Sequence, residues 1–265
     1  MAFPHSQRVI YERCPLAEVV AQLKFQPILR IDSEAPAAFQ ETIRATYPQY
    51  ANVPQPLPVG VPPNTPPQIV SMMQGLGAAH LGTRHRFASQ DGRWEVFLAR
   101  ESLELRTIKY DRWEDFRQRL EQLRESLQRI YAPGAYLRIG LRYVDVIRRS
   151  ALGLQDVPWS ELLTPHIAGV LASPELAPSI DGTGSQTHCS LGDNTFLTIK
   201  ALLVKHATEG PELCFMIDAD FHTHQTTEIA DAANRLDGFN QMGWRFFRWC
   251  IQQRLHDAME PHNID

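Results

Sequence analysis

The segment YLRIGLRYVDVIR, residues Tyr136–Arg148, alternates apolar side chains with charged or small ones. This period of two predicts a β-strand with one buried face and one polar face. The polar face carries Arg138, Arg142 and Arg148, while Asp145 interrupts the apolar face. We therefore expect the strand to belong to a sheet that helices cover on one side.

Elements of the same type and order precede and follow this segment. The first half reads as strand, helix, three-strand meander and long helix, with the strand at Glu18–Phe25 and the helices at Pro36–Tyr47 and Arg112–Tyr131. The second half repeats this order, with the strand at Tyr136–Arg148, a helix opened by Pro158 within Val157–Ala172, and a helical stretch at Thr227–Met259. The sequence thus predicts an α+β protein of two pseudo-repeated halves, 1–134 and 135–265, in one compact unit. Their strands form an antiparallel sheet with the helices mainly on one face.

The strands of the two meanders are recognised by alternation between turn signals. In the first half they are Gln68–Met73 with Arg84–Ser89 nearby, then Trp94–Ala99 and Leu103–Tyr110. In the second half they are Thr187–Leu191, Thr195–Lys205 and Leu213–Phe221, after a loop at Asp181–Ser185. Gly238 and Gly243 weaken the last helical stretch by roughly 1 kcal/mol each relative to Ala.

Composition excludes several classes of protein. The chain has 265 residues and a formal charge of −4, with 43% apolar residues, which argues against a disordered chain or a fibre. No apolar run approaches the ~18 residues of a membrane span, and no secretory signal is recognised. Four scattered cysteines form no CxxC pair, which argues against a zinc ribbon. We expect a cytoplasmic protein with no membrane partner, and the mild acidity argues against nucleic acid.

Proline is concentrated in one segment. Seven of the 19 prolines lie in VPQPLPVGVPPNTPP, residues Val53–Pro67. Proline fixes φ and removes backbone donors, so this segment is predicted to be an extended, polyproline-like loop. Such a loop suits the recognition of a partner.

The late segment Asp218-Ala-Asp220-Phe-His222-Thr-His224 is the strongest candidate for a metal site. A strand would project both carboxylates and both imidazoles from one face, and these groups suit Zn²⁺ or Mn²⁺. A straight strand brings only neighbouring pairs to one ion, so other strands must add ligands. The alternative is a solvated strand face.

Charged residues on the first predicted strand of each half form a second candidate site. Glu18 and Arg142 could pair across the sheet if these strands are neighbours, with Arg138 and Asp145 close by. One interpretation is a structural ion pair, whose disruption in a buried setting costs about 3–5 kcal/mol. The other is an anion pocket, in which Arg138 and Arg142 bind a phosphate or carboxylate.

The last helical stretch carries a dense aromatic cluster. Trp244, Phe247 and Trp249, with Phe246, are more than one helix face can bury alone. Core packing is one interpretation, and a homodimer or partner interface is the other.

Three motifs suggest a family. They are PLAEV at Pro15–Val19, GLRYVD at Gly140–Asp145 and MIDAD at Met216–Asp220, to which Phe87–Phe116 adds a longer match. On these motifs the chain resembles a sporadically distributed family of bacterial proteins of roughly this length, and the resemblance spans most of the chain. It implies a bacterial cytoplasmic protein, and it implies no reaction because none is established for the family. The family usually has Asn where this chain has Asp145.

These observations favour a non-catalytic binding or scaffold component that engages a protein partner or a second copy of itself, without a cofactor. One alternative is a metal-dependent hydrolase or nuclease that uses Asp218 and Asp220 with help from His222 and Glu18. The other is a small-anion sensor that uses the arginines of the Tyr136–Arg148 strand.

Overall fold

The computed structural model describes residues 3–54, 83–205 and 212–263. The predicted α+β fold is confirmed: helices pack on one side of a nine-stranded antiparallel sheet, and a separate two-stranded sheet pairs residues near the two ends of the chain. Among these residues no helix is long and apolar enough to cross a membrane.

Runs of consecutive strands are separated by helices, and the edges of the fold carry elements in addition to the predicted ones. The strands are β1 (Val9–Tyr11), β2 (Leu16–Phe25), β3 (Gln49–Pro54), β4 (Thr83–Ala88), β5 (Trp94–Ala99), β6 (Ser102–Thr107), β7 (Tyr136–Ile147), β8 (Thr183–Gly192), β9 (Thr195–Lys205), β10 (Leu213–Thr223) and β11 (Pro261–Asn263). The helices are α1 (Arg30–Ser33), α2 (Ala37–Ile43), α3 (Trp113–Tyr131), α4 (Pro165–Ala168), α5 (Ala232–Cys250) and α6 (Gln253–Ala258).

The strand order in the large sheet is β3-β4-β5-β6-β2-β7-β10-β9-β8. The first long strands of the two halves, β2 and β7, are neighbours near its centre. Outward from this pair, each half contributes its remaining strands in reverse chain order. The two halves therefore share one continuous sheet and one helical layer.

The register of β2 against β7 sets which side chains are buried. Val19 lies opposite Tyr143, Ala21 opposite Leu141, and Leu23 opposite Ile139. These side chains point toward the helices, and all except Tyr143 are fully buried. The intervening residues of both strands point to the opposite face of the sheet, which we call the open face.

Two long helices supply most of the layer above the sheet. Phe116 and Leu127 of α3 and Phe239 and Phe246 of α5 are almost completely buried. Each such side chain stabilises the fold by about 1.5–3 kcal/mol relative to exposure. These side chains lie on the surfaces of α3 and α5 that face the core.

The helix predicted within Val157–Ala172 is shorter than expected and does not begin at Pro158. The segment forms short 3₁₀ turns around the single-turn helix α4. Pro165 begins that turn, and Gly169, at φ 53°, ends it because this backbone conformation leaves the right-handed helix. Thr164 is extended before Pro165, so the apolar residues at helical spacing in this segment do not form one continuous helix.

The continuous helix predicted at Thr227–Met259 is also interrupted. Ile251 is extended and forms a β-bridge with Leu163, which separates α5 from α6. The loop predicted at Asp181–Ser185 partly belongs to edge strand β8. Edge strand β3 and the pair β1–β11 were not predicted. The predicted strand Gln68–Met73 and the proline-rich segment beyond Pro54 lie outside the described residues.

Gly243 lets helix α5 approach the centre of the sheet. A Cβ atom at this position would lie 2.7 Å from Cε2 of the Tyr143 ring. The Tyr143 hydroxyl donates a hydrogen bond to Oδ1 of Asn240 at 2.9 Å, which fixes the orientation of the ring. The glycine that weakens the helix locally is thus required by close packing against β7.

We expect Gly243→Ala to lower the free energy of unfolding by about 1–3 kcal/mol, because the added methyl group overlaps the Tyr143 ring. Gly238→Ala in the same helix is the matched control, since nothing lies within 4 Å of the added Cβ. Its better helix propensity should raise the free energy of unfolding by up to about 1 kcal/mol. Urea denaturation of both variants measures the difference, and stabilisation by both would contradict the close contact.

Candidate functional site

The open face brings together most of the charged residues singled out in the sequence. Arg142 of β7 lies opposite Asp220 of β10, and Asp218 lies opposite Val144, so all four side chains share this face. Antiparallel neighbours on one face have Cβ atoms about 4.5–5.5 Å apart, within reach of ion pairing. The arginines and the aspartates, which the sequence suggested as two separate sites, therefore form one site.

Arg142 and Asp218 form a bidentate ion pair. Nε and Nη2 of Arg142 donate to the two carboxylate oxygens of Asp218 at 2.6 and 2.9 Å. Nζ of Lys200, on β9, lies 3.7 Å from the same carboxylate. The Asp218 side chain is only 4% exposed, whereas that of Arg142 is 41% exposed. The hydrogen bonds to Asp218 raise the pKa of Arg142 above its usual value.

Arg138 lies flat across the backbone of Gly140. A Cβ atom at Gly140 would overlap Nη1 of Arg138, so the glycine leaves room for the guanidinium in this position. From there the guanidinium donates to Oε1 of Gln22 at 2.9 Å and to Oδ2 of Asp220 at 2.7 Å. Arg138 thus joins β2 to β10 across β7.

The network continues through the first half of the sheet in two rows. In one row, Arg106 bridges Glu95 and Glu18, at 2.9 and 3.1 Å. In the other, Gln22 donates to Glu104 at 2.7 Å, and Arg84 lies 3.3 Å from the same carboxylate. The predicted pairing of Glu18 with Arg142 is therefore wrong. The two strands are neighbours as expected, but each side chain has a closer partner on the strand at its other side.

These side chains define what we call the charged face, the charged residues that strands β2–β10 direct to the open face. Its seven cationic and five acidic members are Lys24, Arg84, Arg86, Arg106, Arg138, Arg142, Lys200, Glu18, Glu95, Glu104, Asp218 and Asp220. The face therefore has two more positive than negative charges, in a chain whose formal net charge is −4. This local excess cannot be read from composition.

The four residues suggested as metal ligands do not converge on one point. Asp218 and Asp220 accept hydrogen bonds from arginines, and Nδ1 of His222 lies 3.1 Å from the backbone oxygen of Asp220. The His224 ring packs edge-on against that of His222, and burial lowers its pKa. Over the described ranges, no group of three or more His, Cys, Asp and Glu side chains is placed to hold a metal ion.

Asp145 lies on the other face of β7, beneath the helices. It is 7% exposed and forms no hydrogen bond or ion pair within residues 3–54, 83–205 and 212–263. Loss of hydration alone raises the pKa of Asp145 to about 8. The anion-site hypothesis grouped Asp145 with Arg138 and Arg142, but the period of two places it on the opposite side of the sheet.

The aromatic residues proposed as an interface make contacts within the chain. Trp244 and Phe247 line a cavity beside Asp145, and the Phe247 ring lies 5.9 Å from that of Tyr11. Trp249 packs against His166, with ring centroids 3.6 Å apart. All three side chains are half-buried, so part of each still reaches solvent.

Several residues of the two sites were not identified from the sequence. Gln22, Glu104, Arg106 and Lys200 belong to the charged face, and Tyr110 lines the cavity. The alternation of polar and apolar residues could have identified Gln22, Glu104, Arg106 and Lys200, because each lies on the polar face of an alternating strand. Their pairing required the strand order, which alternation does not give.

No protein-family profile and no curated protein sequence matches this chain.

Arg142 and Asp218 should contribute unequally to stability. Arg142→Met leaves a buried carboxylate with only Lys200 nearby, so we expect a loss of about 3–5 kcal/mol in the free energy of unfolding. Asp218→Asn leaves an arginine that water can hydrate, and we expect a loss of about 1 kcal/mol. Urea denaturation measures both, and equal losses would contradict the asymmetric burial.

Asp145 should make stability depend on pH. Its pKa is about 8 in the folded protein against an ordinary 3.8, so the folded state binds more protons. The free energy of unfolding should then fall as pH rises from about 4 to about 8, by up to about 1.4 kcal/mol per pH unit. Asp145→Asn removes this dependence, so its stability should exceed that of wild type increasingly over the same window. Urea denaturation across pH measures it, with the exposed Asp156→Asn as a control that should show no such trend.

Proposed function

We propose that the protein is a non-catalytic binding component whose charged face engages an acidic segment of a protein partner. The observation that carries the proposal is the excess of cations on an ordered sheet surface. An acidic segment complements this excess, and charge complementarity steers association and fixes register. The proposal also names the kind of partner that the binding hypothesis left open.

The ordered state of the charged face supports this proposal. Arg106 and Arg142 are held by carboxylates on neighbouring strands, yet 36% and 41% of their side chains remain exposed. Side chains that are fixed before binding lose less conformational entropy when a partner arrives. Their outward N–H groups can therefore donate to partner carboxylates at a small entropic cost.

Lys24 supplies a cation that needs no rearrangement. It lies opposite Arg138 in the register of β2 with β7, so two positive charges are adjacent. Within the described residues Lys24 has no ion-pair partner. A partner carboxylate placed here would relieve the repulsion between these neighbours.

The two alternatives from the sequence have less support. A metal-dependent reaction would need Asp218 and Asp220 free, and both are engaged by arginines. A single small anion would compete with a carboxylate already fixed beside each arginine. A segment with several carboxylates engages several cations at once, and this multivalency favours a macromolecular partner.

We also propose that the two halves arose by internal duplication. The strand order supports this, because both halves place their first long strand at the centre and the rest outward in reverse order. The helical layer does not repeat as closely, since the second half has short turns where the first has α2. Binding residues on both halves would then descend from one ancestral strand face.

Binding of a fluorescein-labelled oligoglutamate peptide, followed by fluorescence anisotropy at low salt, tests the proposal. We expect Lys24→Glu to weaken binding by about tenfold, because it reverses a charge on the face without breaking an ion pair. Arg44→Glu makes the same charge change at the exposed end of α2 and should leave affinity nearly unchanged. Binding should also weaken as salt rises.

Two results would overturn the proposal. Equal weakening by both variants would show attraction to net charge rather than to the charged face. A dimer, detected by light scattering, that Lys24→Glu dissociates while the peptide fails to bind would identify a second copy as the occupant.

A further inference from the structure

A second site lies on the helix side of the sheet, away from the charged face. A cavity of about 120 Å³ opens there between β7, helix α5 and the N-terminal segment. Asp145 lines it, and the aromatic side chains of Tyr110, Tyr143, Trp244 and Phe247 form much of its wall. At roughly 10–15 Å³ for each water-sized group, it holds about ten such groups. A wider cleft of about 500 Å³ adjoins the cavity and shares Tyr11, Tyr110 and Arg112 with it, among other residues.

The Asp145 carboxyl is the one feature of this cavity that packing does not explain. It is 93% buried and has no hydrogen-bond or ion-pair partner in the described parts of the chain. Burying a carboxyl without a partner is costly, and a nearby cation offsets that cost. Three other charged residues line the wall: Arg8 donates to Glu114, Asp111 accepts from Arg93, and Arg112 lies where the cavity meets the wider cleft.

Four titratable groups that interact electrostatically with this carboxyl, Tyr11, Cys14, Tyr143 and Cys250, carry no charge near pH 7. Burial raises the pKa of Tyr11, Tyr143 and Cys250. Cys14 is exposed as a residue, yet protein atoms surround its thiol closely enough to raise its pKa to about 11. Arg112 lines both the cavity and the outer cleft, at their junction. Of the two acidic groups that line the cavity, Asp111 is paired with Arg93, and Asp145 has no partner among the described residues, so Asp145 is the group that a cationic ligand would pair with.

We propose that this cavity binds a small organic cation, an alkylammonium or quaternary ammonium ion, with the Asp145 carboxylate as its counter-ion. The faces of Tyr and Trp rings attract a cation through their quadrupole, and this attraction strengthens where water is excluded. The carboxylate supplies the full charge that rings lack. The aromatic wall in turn shields the ion pair from water.

The proposal requires proton release on binding. The carboxyl is largely protonated at neutral pH in the empty cavity and must ionise to balance a cation. Binding of a cation near pH 7 should therefore release close to one proton per ligand. A neutral ligand that accepts a hydrogen bond from the protonated carboxyl would release none.

Titration calorimetry of the full chain with choline, in two buffers of different ionisation enthalpy, tests this. Its neutral isostere, 3,3-dimethyl-1-butanol, has the same shape and no charge. We expect choline to bind in the millimolar range or tighter, with nearly one proton released, and the isostere to bind at least tenfold more weakly. n-Butylammonium, a primary alkylammonium ion, is titrated in parallel.

Variants separate the role of the carboxyl from that of the cavity shape. Asp145→Asn keeps the size of the side chain, and we expect it to fold and to weaken choline binding more than tenfold. Asp156→Asn, at an exposed position, should bind choline as the wild type does. Equal affinity for choline and the isostere, unchanged affinity in Asp145→Asn, or no binding of either ammonium ion at tens of millimolar would each overturn the proposal.

Discussion

The pairing of β2 with β7 is the interaction on which the rest of this structure depends. It joins the two halves of the chain into one sheet, and its register fixes the side to which every residue of both strands points. If β7 slipped by one residue against β2, Leu141 would move to the open face and Arg142 would lie under the helices. That alternative is disfavoured because it would bury the Arg142 charge beneath α3 and α5, away from the Asp218 carboxylate.

The same strand serves two sites of opposite character. On the open face, the carboxylate of Asp218 is buried but fully satisfied by a bidentate arginine. On the helix face, Asp145 is as deeply buried and has no partner among the described residues. The first arrangement stabilises the sheet and leaves arginine N–H groups exposed for a partner. In the second arrangement, a bound cation would stabilise the ionised form of the Asp145 carboxyl. The two acidic groups therefore support the two different proposals.

The sequence was sufficient for the elements with strong periodicity and insufficient for what depends on long-range pairing. Alternation located β7, and the apolar stripe located α3, because both patterns are local. The same reasoning predicted a helix at Val157–Ala172, where Pro165 and Gly169 allow only one turn. The partner of Glu18 could not be known before β6 was placed beside β2. Asp145 was visible as an interruption in an apolar face, but its isolation depends on which side chains the helices bring near it.

Two glycines show how closely the central strand is held from both sides. Gly140 leaves room on the open face for the guanidinium of Arg138, and Gly243 leaves room on the helix face for the ring of Tyr143. In each case the missing Cβ lets a large side chain of β7 lie flat and reach a polar partner. Sequence rules treat both glycines as weak points, since glycine lowers helix and strand propensity. Here each glycine instead makes room for an ordered polar contact. The Arg138 contact belongs to the charged face, and the Tyr143 contact lies in the wall of the cavity.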